Sequence, residues 1–183
     1  MVKPVRRVVT GHDKDGKAVV ISDSDAENVV VSEHPPGGRT NLWRTDATPA
    51  NFGGERDEAD AEFTTEPLPN GVNFRINEFP PASDAEVANL DPEKAFGAVG
   101  SAHLVVPGAR HPFMHVTDTV DFAIILEGEI DMLLDEEDVH LRAGDVVIQR
   151  GTAHAWANRY TEICRIAFVL IDGVDETGRK RAQ

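Results

Sequence analysis

The chain has 183 residues, 40% of them hydrophobic, with 18 Lys and Arg against 32 Asp and Glu, a formal net charge of −14 and a pI near 4.8. That length suits one domain with extensions. So acidic a surface repels phosphate backbones and anionic head groups, which sets nucleic acid and membrane surfaces aside as partners.

The N-terminal stretch Met1 to Arg7 is charged but is not followed by an apolar run of signal-peptide length, and nothing approaches the roughly 18 apolar residues of a membrane span. The cytoplasm is the expected location. Val5 to Thr10 and Lys17 to Ile21 flank Gly11-His12-Asp13-Lys14-Asp15-Gly16, a turn composition that predicts a hairpin. Asn28 to Val31 and Thr40 to Arg44 read as further short strands. Ala47 to Asn70 is rich in Pro, Gly, Asp and Glu without periodicity, and reads as a long surface loop or a partly disordered segment. Gly71 to Phe79 alternates and is predicted as a strand. Ser83-Asp84-Ala85-Glu86 is a capping box, and Asp91-Pro92-Glu93 opens a second short helix that Gly97 would end.

From Ser101 the text becomes dense in strands: Val120 to Glu127, Ile130 to Leu134, Val139 to Arg142, Val146 to Gln149, His154 to Asn158 and Ile163 to Ile171. Short strands at such regular spacing predict an all-β antiparallel barrel or sandwich. Cys164, the single cysteine, falls in an apolar strand and reads as a small core residue. The tail from Glu176 to Gln183 is polar and is expected to fray. The acidic run Asp135 to Asp138 reads as a turn, with calcium binding a remote option.

Two segments carry chemistry. One runs from His111 through His115, Asp118 and Asp121 to Gly128; the other from Gly144 through Arg150, Gly151, His154 and Trp156 to Asn158. Histidines with a nearby carboxylate are a metal-ligand composition. Period-2 geometry places Asp121, Ala123 and Ile125 on one strand face, and His154, Trp156 and Asn158 on another.

These segments resemble the two motifs of the cupin superfamily. Asp121 stands where the family has Glu, with six residues before Gly128. His115 takes the first histidine position, Thr117 replaces the second, and the opening glycine, Gly108, is displaced by one. Gly144, Gly151, His154 and Asn158 match the second motif, which is one residue shorter here and lacks the family's proline. The resemblance covers Val105 to Ile171. It implies an antiparallel barrel or double-sheet jelly roll at 101–172; outside it the residues themselves read as an N-terminal β-rich extension at 1–100 packing on the barrel, with one or two short helices, and a polar tail at 173–183.

The resemblance also implies one divalent ion (Fe, Mn, Zn or Ni) in the barrel mouth on His115, Asp121 and His154, with Trp156 and Asn158 shaping a substrate pocket. Asp118 is the alternative carboxylate, and His111 is either a fourth ligand or a solvated loop residue. His12, His34 and His140 read as surface residues, and His103 as a strand cap. Arg75, Arg150, Arg159 and Arg165 are candidate clamps for a substrate carboxylate, or plain ion-pair partners. Three readings of function follow: a metal-dependent enzyme acting on a small organic molecule (dioxygenase, decarboxylase, isomerase or lyase), a non-catalytic small-molecule binding or sensing protein, or a structural barrel with a vestigial site. The N-terminal strands are expected to cover an edge of their own barrel or a neighbour's, and a homodimer is the expected assembly.

Overall fold

The computed structural model describes residues 2–33, 36–62, 64–98 and 100–181; His34 lies outside them. Eleven strands and two short helices follow in chain order: β1 (Arg6–His12), β2 (Ala18–Asp25), β3 (Val29–Glu33), β4 (Pro36–Thr45), β5 (Val72–Phe79), α1 (Asp84–Val87), α2 (Pro92–Gly97), β6 (Thr119–Glu127), β7 (Glu129–Leu133), β8 (Asp138–Arg142), β9 (Val146–Arg150), β10 (Ala155–Ala157) and β11 (Cys164–Asp172).

Every strand pairing is antiparallel. Six strands form one sheet in the order β3-β4-β5-β11-β6-β9, and three form a second in the order β10-β7-β8. Between them lies the main core, with Ala123 and Ile125 from β6, Ile130 and Met132 from β7, Leu141 from β8, and Cys164, Ile166, Phe168 and Leu170 from β11. This is a double-sheet antiparallel jelly roll. Strands β3 to β5, from the N-terminal hundred residues, extend the larger sheet beyond β11 and cover that edge within the same chain.

The hairpin β1–β2 is a separate two-stranded sheet. Its root, Val5 and Ala26, packs with Leu42, Ile76 and Ala167 on the outer face of the large sheet. Both helices start as their caps dictate. Ser83 and Glu86 form the reciprocal capping box, and the Asp91 carboxylate accepts from the Lys94 amide with Pro92 inside the first turn.

The described part of the stretch 47–70 is a surface loop, as its composition predicts, with one 3-10 turn at Glu58–Asp60, and it is tied to the body. Arg7 pairs with Asp57, Asn28 donates to the Ala59 carbonyl, and Ala59, Ala61 and Thr65 are buried. Its polar composition conceals short contacts made by small residues. The tail also returns to the body. The Arg181 amide donates to Asp118 at 2.9 Å and its guanidinium to the same carboxylate at 2.7 Å, while Lys180 pairs with Asp172.

Gly128 shows why the turn glycines recur. It joins β6 to β7 with φ of 71°, and a Cβ there would lie 2.6 Å from the Ile163 carbonyl oxygen. Only glycine meets both demands.

Candidate functional site

The chain from Ser101 to Thr117 forms a 3-10 turn and loops, then lays His115 beside His154 as an isolated antiparallel bridge. The two residues exchange both backbone hydrogen bonds, at 2.9 and 3.0 Å. Directly opposed residues point to the same side, so their rings meet with centroids 4.4 Å apart. His154 is buried and His115 is half-buried.

Each ring is oriented the same way. His115 Nδ1 lies 3.1 Å from the Phe113 carbonyl, and His154 Nδ1 lies 3.0 Å from the Thr152 carbonyl. A carbonyl only accepts, so Nδ1 carries the hydrogen and the neutral ring keeps its lone pair on Nε2. Burial holds both rings neutral. It pushes His115 down to about 3, helped by His154 and by the charge on Arg75, and it lowers His154 as well.

Asp121 lies on the interior face of β6, opposite Gln149 on β9 and Leu170 on β11. It is 4% exposed, and its Oδ1 has no hydrogen-bond partner. Burial raises its pKa to about 6, against the opposing pulls of the Thr119 hydroxyl and Arg75. Asp118 faces away and is held by Arg181, which leaves Asp121 as the interior carboxylate. Among the described residues, no three His, Cys, Asp or Glu side chains form one group able to hold a metal ion. The structure therefore brings His115 and His154 together but does not bring Asp121 into a three-residue group with them.

His111 is neither solvated nor grouped with the pair. It is 7% exposed, its Nδ1 accepts from the Phe113 amide at 3.2 Å, and its Nε2 is buried without a partner. It borders a cleft of about 300 Å³ with Val105, Pro107 and Pro112. Another cleft, of about 480 Å³ between Pro81, Ser83, Asp84, Glu86, Arg159 and Tyr160, contains none of the residues around the imidazole pair.

Trp156 packs edge-on to His154 at 6.0 Å and against Phe79 and Phe168, forming an aromatic wall in the core. Asn158 has a backbone role: its amide donates to the Phe79 and Glu162 carbonyls, and its oxygen accepts from the Tyr160 amide. His103 sits in the 3-10 turn against Glu66 at 3.0 Å instead of capping a strand. His12 and His140 are exposed, His140 beside Glu129, Asp131 and Tyr160.

Sequence reasoning named Arg75 as a candidate clamp but missed the other polar residues of the interior. Asn73, Arg75 and Asn77 on β5 sit opposite Leu170, Phe168 and Ile166, which belong to the core. On β4, Asn41 and Arg39 sit opposite Arg75 and Asn77. Gln149 joins them from β9, 2% exposed with Oε1 unpartnered. The alternation of Asn73, Arg75 and Asn77 was visible in the sequence, but a polar face on a strand normally signals solvent.

A family model described as Cupin domain matches residues 103–171. The chain is 32% identical over 152 residues to Phomopsin biosynthesis cluster protein D of Diaporthe leptostromiformis, covering 79% of this chain and 78% of that protein. It is 29% identical over 172 residues to the cupin-domain-containing oxidoreductase fogC of Aspergillus ruber, covering 92% of this chain and 72% of that protein. Among solved structures, the Clostridium difficile EutQ protein aligns over 90% of this chain and 94% of that one at 9% identity and a TM-score of 0.41. Among the described residues, no helix is long and apolar enough to cross a membrane. With the two opposed sheets and the match from residue 103 to 171 in agreement, the chain belongs to the cupin superfamily as a small cupin-2 domain protein.

Proposed function

We propose that this chain is an enzyme of oxidoreductase type, acting on a small organic molecule at the barrel mouth with one divalent first-row ion held by His115 and His154. The observation that carries the reading is the paired imidazoles, each tied through Nδ1 to a backbone carbonyl. That is the outer-shell arrangement metal-binding histidines use to fix their tautomer, and it leaves Nε2 available. First-row divalent ions take neutral imidazole readily. The fit is to a site with two protein ligands, since Asp121 stands outside the group, and the remaining positions fall to solvent or substrate. Relatives described as cupin-domain-containing oxidoreductases, including fogC, support the reaction class.

When bound, the ion would supply Lewis acidity and positions for substrate oxygen. The chain's own residues would do the rest. Asp121, near neutrality in its titration, holds or releases a proton at its carboxyl. Trp156, Phe79 and Phe168 exclude water and present a flat apolar wall. We place the protein in the cytoplasm, a reading supported by its single cysteine, buried and unpaired.

Calorimetric titration of chelator-treated protein with manganese, iron, zinc and nickel salts tests the site. Micromolar binding by at least one ion, lost in His154→Ala, is the expected result. No binding by any of them below about millimolar concentration would refute it.

A further inference from the structure

The fold sorts the four arginines that the sequence offered as anion clamps. Arg165 is buried and neutralised by Glu78 and Glu127, each at 3.1 Å. Arg159 is held by Asp84, Asp131 and Asp138 at 2.9–3.3 Å. Arg150 is exposed on the edge strand β9.

Arg75 is unlike all three. It is 6% exposed and lies on the interior face of β5, opposite Phe168 of the core. Among the described residues no carboxylate makes an ion pair with it, while Asp121 attracts it only through space. Its Nη1 donates to the Thr64 carbonyl at 3.2 Å, and its Nε is buried with no acceptor. A guanidinium taken out of water without a counter-charge is strongly destabilising. Composition does not limit the supply of partners, since the chain carries 32 acidic residues to 18 basic ones. The interior nevertheless gives the Arg75 guanidinium no ion-pair partner among the described residues.

We infer that Arg75 binds the anionic group, a carboxylate, of the small molecule that occupies the barrel; the inference rests on the barrel mouth being a small-molecule site. A guanidinium presents a planar fork of donors that matches a carboxylate. Arg75 here is a binding and specificity residue. Next to it on the interior face are Phe168 and, beyond, Phe79 and Trp156, with ring centroids 5.5–6.4 Å apart. The ligand class is therefore a small carboxylic acid with a flat apolar body.

The test compares phenylacetate with phenylacetamide, which share a shape and differ in charge, by calorimetry on the full chain at neutral pH, with and without manganese. The acid is expected to bind at least about tenfold more tightly than the amide. Arg75→Gln should remove that preference and leave manganese binding unchanged. Circular dichroism checks that the variant folds; if it does not, Arg75→Lys replaces it and should retain a reduced preference. The wild-type comparison of acid with amide stands without any variant. Equal binding of acid and amide, no acid binding below about millimolar concentration, or a preference that survives Arg75→Gln would each overturn the inference. A preference that survives Arg75→Gln and disappears in His154→Ala would assign the anion to the imidazole pair, leaving the proposed function intact. An Arg75-dependent preference in protein that binds no ion would do the reverse.

Discussion

Replacing Asp121 with asparagine should make the metal-free protein more stable at alkaline pH and no more stable in acid. The carboxyl is 4% exposed and its pKa rises from 3.8 to about 6, chiefly through burial. Between those values the folded chain holds a proton that the unfolded chain has released, so stability falls as pH rises through that window. A rise of roughly two units corresponds to about 3 kcal/mol lost by pH 7 and above. The asparagine amide would resemble the protonated acid in shape and would carry no charge. The expected gain at pH about 8 is therefore about 2–3 kcal/mol, which for a chain of this size raises Tm by roughly 4–12 °C. At pH about 4 the two proteins should melt within about 1–2 °C of each other. The assay is differential scanning calorimetry on chelator-treated protein across that pH range. An Asp121→Asn variant that melts lower than wild type at pH about 8, or gains equally at both ends, would refute the argument that this carboxylate is held at a cost in the interior.

Other expectations follow from single contacts. Glu78→Ala removes one partner of the buried Arg165, leaving only the half-exposed Glu127, and should cost about 3 kcal/mol in urea unfolding. Gly128→Ala forces a Cβ against the Ile163 carbonyl at positive φ and should cost about 1–3 kcal/mol in the same assay. The homodimer expected from the sequence would use the outer face of the large sheet, where Phe74, Val169, Phe122 and Ile148 form one cross-strand row, with Val120, Ile124 and Val146 exposed beside it. Sedimentation should give a dimer that Phe122→Asp dissociates; a wild-type monomer at micromolar concentration would count against it.

The strands were legible because turn residues punctuate the second half of the chain so closely. Glu127-Gly128-Glu129 and Ala143-Gly144-Asp145 fall where β6 ends and β9 begins. The helix starts were legible because capping is local chemistry, decided within three residues. Harder was the inward face of β6. Val120, Phe122, Ile124 and Leu126 are the larger apolar set, yet they point outward, while Thr119, Asp121, Ala123 and Ile125 point in. Both faces of that strand read as buried faces, so periodicity alone does not choose between them; motif spacing did.

Local pattern and motif spacing, both properties of neighbouring residues, determined the antiparallel jelly roll, the two capped helices and the interior position of His154 and Asp121. Only the tertiary structure decided which distant residues share the interior. His115 meets His154 across 39 positions of sequence through a single bridge, and Asp118 is taken away by Arg181, 63 positions further on. Asn73 and Asn77 look solvent-facing in the sequence, which left Arg75 open as a clamp or an ion-pair partner, and all three become interior because β4 and β5 join the same sheet as β11. The reason is that burial belongs to a sheet's surroundings, not to the strand: the same alternating polar face is solvated at an open edge and enclosed once the sheet extends past it and the second sheet closes over.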